Sequence, residues 1–170
     1  ARDRRLPTAG DLVDGNRWRA QQLFSSQLRR GLMRRAWSVL TRRVSRLDSL
    51  AAMAGARAIR QRHTIGLQTI PLAAICGSEN RCRDFDRRFA PLTTLTRERW
   101  QNIAAARLNG QTLPAIDVVQ IGECYFVRDG HHRVSVARAL GEEYIEAEVT
   151  VWEACDRDRE RSTLLAVACC

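Results

Sequence analysis

The segment 125–133 constrains the fold most, because an apolar strand runs into a short helix through one glycine. Residues 116–121 read as a strand, Gly122 and Glu123 as a tight turn, and 125–127 as a returning strand. The following helical pattern ends at Gly141, a typical C-terminal cap. Asp129-Gly130-His131-His132-Arg133, called the box below, is therefore predicted to join a hairpin to a helix N-terminus.

The chemistry of the box favours an anionic ligand. A helix N-terminus presents unpaired N–H groups and the positive end of the helix dipole. Two imidazoles and a guanidinium add donors suited to phosphate. We therefore predict phosphate binding by Gly130, His131, His132 and Arg133. A structural interpretation stays open, in which Asp129 is an N-cap, Gly130 a turn residue and the rest a solvated first turn.

Four blocks of the chain, in order, resemble the N-terminal domain of ParB-type chromosome-partitioning proteins. The blocks are 69–75, read as the first strand, then 80–86, 113–118 and 125–133. That domain shares its fold with sulfiredoxin and with a free-serine kinase. The resemblance covers about half of the chain. It implies an α/β (α+β) fold, a small mixed sheet with flanking helices.

The box is spelled differently in each of these relatives. Sulfiredoxin carries Gly-Gly-Cys-His-Arg, which puts His132 and Arg133 on its phosphate-binding pair and His131 in place of its catalytic cysteine, so sulfinic acid reduction is not expected. Partitioning ParB proteins carry Gly-Glu-Arg-Arg. The free-serine kinase carries Asp-Gly-His-Thr-Arg, which differs only at His132.

The resemblance implies a nucleotide-binding, DNA-associated module. Its cofactor would be a nucleoside triphosphate, CTP or ATP, with Mg²⁺, and Arg81 or Arg83 would reach the distal phosphates. A small-molecule kinase or other phosphotransfer enzyme on the same fold is one alternative. A non-catalytic interaction protein is a second. Phosphoryl transfer also needs a carboxylate to accept a proton. The candidate catalytic residues are Asp129, His131 and Asp86, with Glu79 and Asp84 as further carboxylates.

Positive charge is concentrated in the first third of the chain. Residues 1–62 hold 15 arginines against four acidic residues, a net charge of +11. An apolar stripe, Leu28, Leu32, Ala36, Leu40, Val44 and Leu47, predicts an amphipathic helix that runs on from Asp48 through Arg60. Its flanking arginines are candidate DNA-phosphate contacts: Arg29, Arg30, Arg34, Arg35, Arg42 and Arg43.

Other partners for this helix stay open. Its apolar stripe could pack on the α/β domain or on a second copy of the chain in a homodimer. Trp18 and Trp37 could instead place it on an anionic membrane surface.

The six cysteines show neither a disulfide pattern nor a zinc-ligand spacing. Free thiols in a reducing compartment are therefore predicted. A metal site formed by Cys76 and Cys82 with His63 or a box histidine is an alternative, but no metal site is predicted.

The remaining pattern gives the organisation of the chain. We predict a mainly helical, arginine-rich extension at 1–62 with a flexible arm to about Gly15, a ParB/sulfiredoxin-like domain at 63–155 and a tail at 156–170. Within the domain, Thr96 begins a helix that reaches Leu108, and residues 144–152 alternate as a half-buried strand. No apolar run has the length of a membrane span and no signal peptide is evident, so a cytoplasmic protein is expected.

Overall fold

The computed structural model describes residues 9–42, 47–56 and 58–155. The helices in this part of the chain are α1 (Ala9–Leu40), α2 (Leu50–Ala56), α3 (Arg97–Leu108) and α4 (His131–Leu140). The strands are β1 (Asp48–Ser49), β2 (Ala58–Pro71), β3 (Ile75–Ser78), β4 (Ile116–Ile121), β5 (Cys124–Asp129) and β6 (Tyr144–Cys155). A 3-10 turn, Leu72–Ala74, links β2 to β3.

The described strands form a mixed sheet in the order β1-β3-β5-β4-β6-β2. The predicted hairpin is the antiparallel pair of β4 and β5. β6 lies parallel to β4, and β2 is the antiparallel neighbour of β6. β3 lies parallel to β5 on the other side of the hairpin. The predicted fold class, a mixed sheet with flanking helices, is confirmed.

Apolar side chains are buried on both faces of the sheet. One strand can contribute to both faces because its successive residues point to opposite sides. On one face, Val118 and Val127 pack in a buried cluster with Val134 of α4. On the other face, Phe126 packs in a second cluster with Leu50 of α2. Burial of Val134 fixes α4 against the sheet, and this sets the orientation of the box at its N-terminus.

Helix α1 packs on α3 with a different face from the predicted one. Ala20 and Phe24 are fully buried, and the Phe24 ring meets Trp100 of α3 edge-on, with 5.5 Å between centroids. Leu32 and Leu40 of the predicted stripe are 45% and 77% exposed. The predicted stripe was therefore wrong at Leu32, Ala36 and Leu40, whereas Leu28 is partly buried against α3 and Leu47 is buried in the core after the helix has ended.

Two contacts hold the second half of α1 in place. A Cβ at Gly31 would lie 2.7 Å from the carbonyl oxygen of Pro91, so only glycine allows this approach. Three residues on, Arg34 Nε donates to Asp86 Oδ2 at 2.6 Å. Beyond Leu28, the docked face of α1 thus carries a glycine and an arginine instead of leucines. Among the described residues, no helix combines the length and apolar character that a bilayer crossing requires.

The predicted helical run from Asp48 through Arg60 was only partly right. Helix α2 ends at Ala56, and β2 begins at Ala58. Residues 58–71 pair along β6, so tertiary pairing overrides the helix propensity of the alanines. The predicted boundary between residues 62 and 63 falls inside β2.

The chain before the sheet departs from the predicted arm. Residues 9–15 belong to α1, whereas a flexible arm was predicted to reach about Gly15. Residues 1–8, Arg43, Val44 and the predicted tail at 156–170 lie outside the described residues.

Cys76 and Cys124 form a disulfide, so the prediction that they are free thiols was wrong. They are 48 residues apart in the chain, but they lie on the neighbouring parallel strands β3 and β5, with 5.6 Å between their Cα atoms. The spacing of these cysteines in the sequence could not predict the disulfide, because only the pairing of β3 with β5 brings the two residues together. Cys82 has a free thiol, as predicted.

Candidate anion-binding site

Gly130 makes the corner between β5 and α4. Its φ is +92°, a left-handed conformation that side chains other than glycine rarely adopt. A Cβ there would lie 2.5 Å from Cγ2 of Ile116. The N–H of Val134 donates to the Gly130 carbonyl at 3.1 Å, which closes the first turn of α4. The next N–H groups towards the N-terminus, from His131 to Arg133, have no intrahelical acceptor because of their position.

His131 is a buried, neutral residue held by Ser78. Its Nε2 lies 2.7 Å from Ser78 Oγ, and only 4% of the residue is exposed. The N–H groups of Asn80 and Arg81 donate to the same oxygen at 3.2 and 2.9 Å. The Ser78 hydroxyl proton is therefore directed at Nε2, which makes His131 the Nδ1–H tautomer. Burial and the charges of Arg81 and His132 lower the pKa of His131 to about 4.

His132 is also buried, but its Nε2 has no hydrogen-bond partner among the described residues. The Phe85 ring contacts it edge-on, with 5.5 Å between centroids. Burial, followed by the charges of Arg99 and Arg81, lowers the pKa of His132 to about 4. A buried polar atom without a partner is unusual and costly. It marks a place where a ligand atom or a water can bind.

Arg133 is engaged by the protein itself. Its Nη1 donates to the carbonyl oxygens of Pro114 and Ala115, both at 2.6 Å. Its Nη2 donates to Asp129 Oδ2 at 2.8 Å. The guanidinium thus ties the start of β4 to the first turn of α4, and both of its terminal nitrogens have acceptors.

A small cleft opens at the N-terminus of α4. Its volume is about 30 Å³, close to the share of one water in the liquid. Beyond the box it is lined by Arg81, Arg99 and Ile103. Arg81 forms an exposed ion pair with Asp84 at 3.0 Å, whereas Arg99, in the first turn of α3, forms none among the described residues. The cleft is thus small and cationic, and His132 belongs to its lining.

The other predicted site residues lie elsewhere. Arg83 is exposed and does not line the cleft. Asp86 is 1% exposed, and besides Arg34 it accepts the N–H groups of Arg88 and Ala90 at 2.9 and 2.8 Å. Glu79 pairs with Arg128 at 3.3 Å. Of the predicted carboxylates, Asp129 alone is in the cleft lining, and its side chain is 67% exposed.

The predicted DNA-contacting arginines do not all face solvent. Arg29, Arg30 and Arg35 are exposed on α1, and Arg42 is exposed just beyond it. Arg34 is partly buried and bonded to Asp86.

Sequence reasoning missed Ser78 and Arg99. Ser78 is fully buried at the end of β3, and Arg99 reaches the cleft from α3. Neither residue stands in a motif, since each is brought to the box by strand pairing or helix packing. The sequence offered only the position of Arg99 in the first turn of a predicted helix, where a cation is unfavourable without an anion.

A larger cavity of about 250 Å³ lies on the other side of Arg133. Leu113, Val136 and Ile145 contribute its apolar surface. At its rim, Arg107 forms a two-pronged ion pair with Glu142, at 2.7 and 3.1 Å. Arg107 and Glu142 are thus paired with each other, whereas Arg99 of the cleft forms no ion pair among the described residues.

Comparison with known proteins gives a likeness of fold. No protein-family model matches the sequence, and no curated protein matches it. Among solved structures, the chain is similar to sulfiredoxin from Arabidopsis thaliana, with 21% identity and a TM-score of 0.37. The match covers 58% of this chain and 96% of that one. At this level the likeness concerns the fold alone.

Proposed function

We propose that this chain binds the phosphate groups of a nucleotide at the N-terminus of α4. The observation that carries the proposal is a cleft at this helix end lined by Arg81, Arg99 and His132, whose buried Nε2 has no hydrogen-bond partner among the described residues. Backbone N–H groups and the helix dipole favour an anion at the same place. A phosphate oxygen would accept a hydrogen bond from the Nε2–H tautomer of His132.

The electrostatics of the cleft fit an anion better than a cation. The charges of Arg81 and Arg99 help to keep His132 neutral, as its lowered pKa indicates. A bound phosphate would offset those charges and raise the pKa of His132. Arg133, whose terminal nitrogens are already bonded, acts in this proposal as a positioning residue for the first turn of α4.

The size of the cleft sets a condition on binding. A space of about 30 Å³ holds one oxygen-sized group, so a phosphoryl group enters only if neighbouring side chains move. Arg81 and Arg99 are exposed and can move outward. The Arg81–Asp84 ion pair, being exposed, costs little to exchange for a phosphate contact.

The test is calorimetric titration of the full chain with CTP, ATP and GTP, each with Mg²⁺, and with inorganic phosphate alone. We expect saturable binding of at least one nucleotide, weakened about tenfold or more in Arg99→Gln because a charged hydrogen bond is lost. Arg19→Gln, which removes an exposed arginine of α1, is the matched control. Absence of binding to all three nucleotides, or equal affinity in Arg99→Gln, would overturn the proposal.

Phosphoryl transfer is a second candidate, favoured by the position of Asp129 in the cleft lining. A carboxylate at that point could accept the proton of an acceptor hydroxyl. This function would be supported if ADP formed from ATP only when a small hydroxyl compound is added. The Asp129→Asn variant should then form no ADP. Nucleotide binding without turnover would leave a binding module. A chain that binds no nucleotide would fit the non-catalytic interaction protein.

DNA association of α1 depends on its exposed arginines alone. These arginines share the helix surface with large apolar side chains, which phosphate contacts do not use. That combination favours a partner other than DNA.

A further inference from the structure

The C-terminal part of α1 carries large exposed apolar side chains. Leu40, Val39, Met33 and Trp37 are 77%, 75%, 72% and 66% exposed. Leu32 is also exposed. These five residues, called the outer ridge, lie within the last nine residues of α1. Clustered apolar side chains on a protein surface mark a contact site.

The chain around the outer ridge is strongly cationic. It contains no acidic residue between Asp14 and Asp48. Arg30 stands three residues before Met33 and seven before Trp37, so these side chains are neighbours on the helix surface. Apolar and cationic groups therefore form one continuous patch.

A polar cleft of about 270 Å³ adjoins this patch, between α1, α4 and the segment 86–89. Arg34 is bonded to Asp86, whereas Arg30 and Arg88 form no ion pair among the described residues. The cleft therefore holds more positive than negative charge. It is distinct from the box, and its lining includes four arginines: Arg30, Arg34, Arg88 and Arg138.

We propose that this surface binds an anionic lipid bilayer. The outer ridge enters the headgroup region, where tryptophan and aliphatic side chains are favoured. The arginine cleft beside it takes a headgroup phosphate. Exposed arginines at the edge of the ridge add attraction to anionic lipids.

Charge and shape favour this partner over two others. A second copy of the same face would bring arginines together, and residues 15–47 contain no acidic residue that could offset their charge. Duplex DNA would neutralise the arginines but leave Met33 and Trp37 against a polar, charged backbone. The Gly31–Pro91 approach and the Arg34–Asp86 bond hold α1 in place, so the surface is presented without a folding cost.

The test is flotation of the full chain with two kinds of vesicle. One is phosphatidylcholine, and in the other roughly a third of the lipid is phosphatidylserine. We expect binding to the anionic vesicles only. Met33→Ser with Trp37→Ser should abolish most of it. The control is Leu95→Ser, because Leu95 is 91% exposed but lies outside α1.

A second pair of variants tests the arginine cleft. Arg30→Gln with Arg88→Gln should weaken vesicle binding about fivefold for each charge removed. Arg17→Gln with Arg19→Gln removes the same charge from the N-terminal half of α1, and should weaken it less. Equal losses in the two pairs would overturn the arginine cleft as a headgroup site.

Three results would overturn lipid binding itself. These are equal binding to neutral and anionic vesicles, unchanged binding in the Met33 and Trp37 variant, and binding of duplex DNA by a chain that binds neither vesicle. Concentration-dependent dimerisation that is lost in the Met33 and Trp37 variant, without vesicle binding, would assign the ridge to a second copy. Circular dichroism of each variant confirms that it is folded.

Discussion

Ser78 directs its hydroxyl proton at Nε2 of His131 across 2.7 Å, although 53 residues separate them in the chain. The same oxygen accepts two backbone N–H groups of the segment after β3. One serine therefore sets the tautomer of a box histidine and shapes the loop that carries Arg81 into the cleft. The pair connects the end of β3 to the first turn of α4.

Replacement of Ser78 by alanine should destabilise the protein by about 2 kcal/mol or more, because it leaves a buried imidazole nitrogen and two backbone donors without a partner. Urea unfolding measures the change. Ser25→Ala is the control, since the Ser25 hydroxyl donates to a carbonyl within exposed α1 and its loss should cost less than about 0.5 kcal/mol. Equal stability of Ser78→Ala and the parent chain would contradict the hydrogen bond.

Stability should fall as the pH drops from about 6.5 to about 4. Burial holds the pKa of His131 and of His132 at about 4 in the folded chain, whereas both titrate near 6.5 when unfolded. The unfolded chain therefore binds more protons in this window, and by pH 4 the free energy of unfolding should fall by up to about 3 kcal/mol for each histidine. Above a pH of about 7, these two histidines should contribute no pH dependence to the free energy of unfolding. NMR titration of the imidazoles checks the cause: midpoints near 6.5 in the folded protein would contradict it.

Gly130→Ala should cost more than Gly110→Ala. Both glycines have positive φ, +92° and +75°, so each substitution carries the left-handed penalty of about 1–2 kcal/mol. At Gly110 nothing lies near the added Cβ, whereas at Gly130 it meets Ile116. The difference between the two losses of unfolding free energy measures the cost of the contact between the added Cβ and Ile116. Equal losses would show that the backbone around Gly130 can shift to remove this contact.

Reduction of the Cys76–Cys124 disulfide should lower stability by up to about 4 kcal/mol, because the bond closes a loop of nearly fifty residues. Unfolding with and without reductant measures this effect, and peptide mapping identifies the linked pair. Cys82→Ser is the matched control, because its thiol is free. If Cys82→Ser lost its response to reductant and a Cys76→Ala variant kept it, the assignment of the pair would be wrong.

Local patterns predicted the elements around the box well. The β4–β5 hairpin, α3 from Arg97, and α4 closed by Gly141 all lie where propensity, turn residues and caps put them. What the sequence could not supply was contact between distant segments. Ser78, Arg99 and the Cys76–Cys124 bond each depend on strand order or helix packing, which leave no periodic signal.

The prediction of a buried leucine stripe on α1 failed for a physical reason. The leucines of α1 looked like a buried stripe, yet Leu32 and Leu40 are exposed, because the docked face turns Phe24 towards Trp100 and approaches Pro91 through Gly31, where a side chain would clash. Arg133 illustrates the same limit within the box. Its type suits phosphate, but only the structure reveals the two carbonyl oxygens that it contacts. The phosphate role of the box stays a prediction.

Helix α2 also limits how far two margins of the sheet can separate. It links β1, at one margin, to β2, at the opposite margin. With a rise of about 1.5 Å per helical residue and about 3.5 Å per extended one, residues 49 to 58 can reach only about 20 Å. Six flat strands at about 4.8 Å spacing would measure about 24 Å across. The start of β2 and the edge strand β1 are therefore held closer together than a flat sheet would place them, and the length of this short linker limits how far apart they can move.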